Sequence, residues 1–144
     1  MNSSPSEHIE QMRMAIDNEQ SRLLQRAYTI SNNYMEQYNR HIELKSKFQW
    51  SHIPRIHVKG TSISITWYKA SPRKAGGGEY LVHWAQIARG KSSFYTDEHW
   101  AFPTDEERVA LNETEAEFAQ IREASKRLVR VQRAVTLYEK VLKA

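Results

Sequence analysis

Ser62-Ile63-Ser64-Ile65-Thr66-Trp67-Tyr68 alternates between hydroxyl-bearing and apolar residues until the tyrosine. Successive side chains of a β-strand point to opposite faces. A two-residue period therefore gives an apolar face (Ile63, Ile65, Trp67) and a polar one (Ser62, Ser64, Thr66, Tyr68). On one side lie Arg55-Ile56-His57-Val58-Lys59 and then Gly60. On the other, Ser71-Pro72-Arg73-Lys74-Ala75-Gly76-Gly77-Gly78 has the composition of a loop. Glu79 to Ile87 reads as a partner strand, with Tyr80, Val82 and Trp84 on one face. Arg89-Gly90-Lys91 turns the chain into a short strand over Ser92–Thr96. The expected product is a three-stranded antiparallel meander, with 55–58 as a fourth strand. A sheet this small needs cover on one face, and its apolar side asks for it.

The cover lies in the flanks. From about residue 7 to Lys47, apolar residues recur at helical spacing: Ile9, Met12, Ile16, Leu23, Ala27, Ile30, Tyr34, Tyr38 and Ile42. Gln20 interrupts the row. Ser6 is the expected cap, Ser31-Asn32-Asn33 is a weak point for a bend, and Pro54 ends the arm. Tyr28, Tyr34 and Tyr38 suit a helix–helix seam better than a nucleic-acid surface. At the other end, Thr104 caps Glu107, which is placed to return the bond. No Gly or Pro follows from Asp105 to Lys143, and the seam Leu111, Thr114, Phe118, Ile121, Ala124, Leu128, Val131, Val135, Tyr138, Leu142 acquires coiled-coil spacing after Ile121. The fold class is α+β, two long helical arms flanking a small sheet. The 144 residues form one domain: a flexible lead over 1–6, a helical arm over 7–49, a β cassette over 50–102 and a second helical arm over 103–144.

Charge singles out the cassette. It holds Arg55, Lys59, Lys69, Arg73, Lys74, Arg89 and Lys91 against Glu79, Asp97 and Glu98, while each flank is neutral, so the whole formal charge of +4 resides there. Nine of the fifteen aromatic residues are there too: Trp50, Trp67, Tyr68, Tyr80, Trp84, Phe94, Tyr95, Trp100 and Phe102. Hydroxyls and cations at a sheet rim are what phosphate contacts require, and exposed rings stack on unpaired bases. The competing reading is a solvated polar face with Lys and Arg keeping strand edges soluble. Arg122, Lys126, Arg127, Arg130, Arg133 and Lys140 divide similarly between a DNA-facing stripe and a helix end that satisfies its dipole and pairs with acids on a neighbouring helix; the latter is preferred.

No catalytic constellation is legible. Gly90-Lys91-Ser92 imitates the end of a P-loop, but Ala85 stands where the first glycine is required. His57, His83 and His99 lack metal-site spacing, and Asp97-Glu98-His99 is a cluster in composition only. The chain has no cysteine, so disulfides and thiolate chemistry are excluded. The sequence reads as a cytoplasmic protein with no enzymatic activity, no cofactor and no membrane span.

In the order of these features, the part from about Ile53 to the C-terminus resembles the MobI-type accessory proteins of conjugative plasmids and integrative conjugative elements. The resemblance lies in Ser62–Tyr68, in Arg89-Gly90-Lys91-Ser92-Ser93-Phe94-Tyr95, in Trp100 and Phe102, and in Ile121-Arg122 and Leu137-Tyr138-Glu139 of the last helix. It implies a factor that binds DNA at the origin of transfer and helps a relaxase start mobilisation, with no chemistry of its own. The expected DNA contacts are Arg55, Lys59, Lys69, Arg73, Lys74, Arg89 and Lys91, with Tyr68 and Tyr95 for bases or sugars, and the expected state is a homodimer through the long helices. The alternative is a helical protein–protein adaptor, or an inhibitor encoded by a mobile element, that binds no nucleic acid.

Overall fold

The computed structural model describes residues 4–43, 50–74 and 80–144. Two helices of 39 residues, α1 (Pro5–Glu43) and α2 (Asp105–Lys143), frame a sheet of β1 (His52–Lys59), β2 (Ser62–Lys74) and β3 (Tyr80–Gln86). The sheet is an antiparallel meander in the order β1-β2-β3. The fold is the expected α+β arrangement.

Each helix is about 58 Å long at 1.5 Å per residue, and neither would persist alone without a partner for its apolar stripe. They pair with each other, antiparallel, within the chain. Arg13 reaches Glu139 at 3.2 Å near one end and His41 lies 3.5 Å from Glu106 at the other. α1 starts at Pro5 rather than after a lead of six residues. Ser4 is its cap, since the Glu7 amide meets Ser4 Oγ at 3.3 Å, and proline suits a first turn whose amide has no helical partner. The helix runs unbroken through Ser31-Asn32-Asn33. Its expected continuation to Lys47 lies outside the described residues. Tyr34 and Tyr38 are buried in the seam, whereas Tyr28 is exposed.

α2 begins at the Thr104 cap, whose Oγ1 accepts the Glu107 amide at 3.1 Å. The reciprocal bond is not made, because the Glu107 carboxylate is buried and accepts from the Ser51 amide (3.2 Å) and from His52 Nδ1. The coiled-coil row also shifts. Ser125, Leu128, Val135 and Glu139 face α1, with Ser125 bonded to Gln20 at 3.3 Å, Leu128 against the core and Val135 beside Ile9 and Ile16. Gln20 breaks the apolar row of α1 where Ser125 supplies a polar partner. Val131 and Tyr138, expected in the seam, are about half exposed.

Ile63, Ile65 and Trp67 turn toward the helices and are buried with Leu111, Phe118 and Ile121. Residues 55–58 belong to β1, which the two-residue turn Gly60-Thr61 joins to β2. Gly60 takes the positive φ (58°) that such a hairpin turn asks of its first position. Pro54 lies inside β1, where an edge strand tolerates it. β2 runs on through Ser71-Pro72-Arg73-Lys74, expected as loop; the remainder of that expected loop, 75–79, lies outside the described residues.

The strand expected at Ser92–Thr96 is not formed. β3 pairs with β2 only from Tyr68 onward, so the other side of β2 from Ile63 to Trp67 has no neighbouring strand. Side chains take over its backbone groups. Ser125 Oγ accepts the Ile63 amide at 3.1 Å, Arg122 Nε donates to the Ile65 carbonyl at 2.9 Å, and the Trp67 amide meets Tyr95 Oη at 3.4 Å. Buried backbone groups need partners, and a helix can supply them from a serine and an arginine one turn apart.

Candidate nucleic-acid interface

The three strands contain no aspartate or glutamate. Their bases do not form one surface, however, because the sheet has two faces and only one is covered.

On the open face, the register aligns Arg55 with Thr66, His57 with Ser64 and Lys59 with Ser62. Arg55, His57 and Lys59 are exposed along the edge strand, beside the half-buried Ser62 and Ser64 of β2. The Arg55 guanidinium carbon lies 4.4 Å from the centre of the half-buried Tyr68 ring, a cation–π contact. The β2–β3 register puts Trp84, opposite Ala70, on this same face.

The remaining expected contacts separate from this group. Lys69 belongs to the other face, with its Nζ donating to the Ala101 carbonyl at 3.0 Å and lying 5.9 Å from the Phe102 ring centre. Arg73 and Lys74 have strand backbone paired with Leu81 and Tyr80. Arg89 and Lys91 lie in the turn after β3, beside the free edge of β2.

Tyr95 is corrected from contact to core. It is 4% exposed, donates its hydroxyl to the Ile87 carbonyl at 2.9 Å, and stacks on Trp100 at 5.7 Å. Burial, the largest influence, raises the pKa of its phenol above the ordinary tyrosine range. A ring held this way cannot reach a base or a sugar. Its backbone amide donates to Glu115 Oε2 at 2.9 Å.

Arg89 and Lys91 join a surface whose α2 half was expected to be structural. A cleft of about 400 Å³ lies between their turn, the unpaired edge of β2 and α2, lined by Ser64, Arg89, Lys91, Ser92, Ser93, Arg122, Glu123 and Lys126 among others. A second hollow of about 310 Å³ extends it along α2 and adds Ser62, Ser125, Arg130 and Arg133. Of these cations, Arg122 is structural. It is 7% exposed and bonded through both terminal nitrogens to Glu115 at 2.7 Å. Arg89 is partly engaged, donating to the Ser93 carbonyl at 3.3 Å. Lys91, Lys126, Arg130 and Arg133 are exposed, and among the described residues none has a carboxylate within ion-pair distance. Glu123, the acid of the cleft, is paired with Arg127 at 3.2 Å.

The basic stretch of α2 was expected to pair with acids on a neighbouring helix; Arg122 and Arg127 pair instead within α2, with Glu115 and Glu123, and among the described residues Lys126, Arg130, Arg133 and Lys140 have no carboxylate within ion-pair distance. Their spacing of 126, 130 and 133 along one helical face was available in the sequence. What joins them to Arg89 and Lys91 is the short reach of β3, which pairs with β2 only from Tyr68 onward and leaves α2 against the free edge of β2.

No helix is long and apolar enough to cross a membrane among the described residues. No curated protein and no solved structure matches the chain. The family model described as MobI protein matches residues 23–136, taking in most of both helices and the whole sheet. This reaches back into α1, beyond the stretch from Ile53 onward that carried the resemblance, and the protein belongs to the MobI family, a family of mobilisation proteins.

Proposed function

We propose that this protein is a non-enzymatic, cytoplasmic DNA-binding factor that acts at the origin of transfer and assists a relaxase in conjugative mobilisation. The observation that carries the reading is the cleft along α2, where Lys91, Lys126, Arg130 and Arg133 converge without acidic partners among the described residues. Cations on a rigid helix beside serine hydroxyls suit the phosphates of a duplex, which fix position without reading sequence. Family membership supports the mobilisation role.

A mobility-shift titration at rising salt, on origin-region and unrelated duplexes, tests it. Arg130→Ala/Arg133→Ala should weaken binding to both and reduce the salt slope by roughly 0.9 for each phosphate no longer neutralised. Failure of the unaltered protein to bind either duplex at low salt would remove the proposal.

The far end of α2 favours self-association as well. Leu137 (62%), Val141 (72%), Tyr138 (51%) and Leu142 (44%) are exposed on it, and apolar groups gathered in this way commonly mark an interface. A second copy fits because each copy brings the same patch to a two-fold contact. Sedimentation should give a dimer that Leu137→Glu/Val141→Glu converts to monomer. A monomeric unaltered protein at micromolar concentration would count against it.

A further inference from the structure

We propose that the open face of the sheet is a stacking platform for single-stranded DNA, adjoining the α2 cleft along Ser62 and Ser64 and differing from it in chemistry; the proposal rests on the DNA-binding reading above. The cleft offers cations and hydroxyls, and its lining includes no aromatic ring among the described residues. The open face offers a cationic row on β1 (Arg55, His57, Lys59) and two aromatic rings, Tyr68 and Trp84, on β2 and β3.

In a duplex the flat faces of bases are hidden by their neighbours, so rings on a sheet surface have nothing to stack on. With unpaired bases they do, and the interaction is indifferent to sequence because every base has a π-face. Tyr68 and Trp84 are diagonal neighbours across adjacent strands, since Trp84 pairs with Ala70, two residues from Tyr68. Such positions lie about 7–8 Å apart, near enough for consecutive bases of an extended strand. Both rings are half-buried, Trp84 with part of its surface against the core and Tyr68 in contact with Arg55, so they are held in place by the sheet. Arg55, 4.4 Å from the Tyr68 ring, presents a planar guanidinium on which a base can also stack.

The cationic row completes the site. Arg55, His57 and Lys59 alternate along the edge strand, roughly 7 Å between neighbours, and follow a sugar–phosphate backbone laid beside the rings. No carboxylate on any of the three strands opposes them. A face evolved only for solubility has no need to exclude one charge sign, and it gains nothing from two partly exposed rings. Charge complementarity and ring geometry thus select a single strand as occupant, where the cleft selects a duplex. One molecule that holds both fits a site where a duplex is opened.

Fluorescence anisotropy with a labelled single-stranded oligonucleotide, an abasic oligonucleotide of equal length and charge, and a duplex tests the proposal. The unaltered protein should bind the intact single strand at least tenfold tighter than the abasic one. Tyr68→Ala/Trp84→Ala should abolish that preference while leaving duplex binding, which also reports correct folding, unchanged. Equal affinity of the unaltered protein for the intact and abasic strands would overturn the platform without touching the cleft. So would retention of the preference by the double variant. Absence of duplex binding by the unaltered protein, with the base-dependent preference intact, would remove the cleft reading and leave the platform standing.

Discussion

Glu115 carries more of the structure than its place in an acidic helical stretch suggests. Its carboxylate accepts Trp67 Nε1 at 3.0 Å, the Tyr95 amide at 2.9 Å and both ends of Arg122 at 2.7 Å, while Arg122 Nε holds the Ile65 carbonyl. One buried acid thereby ties β2, the segment after β3 and two turns of α2 together. Removing one partner of a buried ion pair costs about 3–5 kcal/mol, because the other is left charged and unpaired. Arg122→Met should lower unfolding stability in urea by that amount. Glu115→Leu/Arg122→Met should recover none of it, since the indole, the Tyr95 amide and the Ile65 carbonyl would still be left without partners; substantial recovery would mean the pair acts through its charge alone. Across the core, Tyr34 Oη donates to the His52 carbonyl at 2.6 Å, and burial pushes its pKa far above that of a free tyrosine. Neither Glu115 nor His52 was legible as core. A charged residue announces burial only through partners that are distant in sequence, and Arg122 is 57 residues from the carbonyl it holds.

At the scale of elements, periodicity told most of what it could. The alternation at Ser62–Trp67 located β2 and its covered face, and both long helices followed from apolar spacing and the absence of Gly and Pro. Local signals also misled. Pro54 and Pro72-Arg73-Lys74 have turn-like or breaking composition, yet the chain continues as strand through both, because pairing with neighbours outweighs propensity. Ser92–Thr96 has strand-like composition and is not a strand, since side chains take its backbone groups: Glu115 accepts the Tyr95 amide, and Arg89 and Arg122 donate to the Ser93 carbonyl. The shift of the α2 seam has a similar origin. Hydrophobicity favoured Val131 and Tyr138, but the partner helix presents Gln20 and Arg13, which select Ser125 and Glu139. Of the expected site, Arg55, Lys59 and Tyr68 stay together on the open face, Lys69 turns to the other, and Tyr95 is withdrawn into the core.

For the whole molecule, the concentration of net charge in the middle of the chain was visible at once, but how it is distributed in space was not. The sheet divides the cassette's bases between its faces, and the antiparallel helices bring the basic half of α2 alongside Arg89 and Lys91. The acidic half of α2 lies toward the opposite end, near His41 and Glu106. A linear count of charge treats the second arm as neutral. Folding separates its two halves and makes one of them part of a basic cleft.

The antiparallel pairing of the two helices also sets an order of assembly. Arg13 and Glu139 are separated by 126 residues, so their contact closes one of the longest loops the chain can form, whereas the meander closes only short ones. Once the hairpins exist, the helix ends nearest the sheet are already adjacent, and pairing can advance from His41 and Glu106 toward Arg13 and Glu139. The far end, sealed by the small cluster of Ile9, Ile16 and Val135, is then the last to close and the first to open. Amide hydrogen exchange in dilute protein should be fastest over residues 5–16 and 132–143 and slowest where both helices cover Trp67. Uniform protection along the two helices would contradict that sequence of events. The same end carries Leu137 and Val141, so under the proposed self-association protection there should rise with protein concentration.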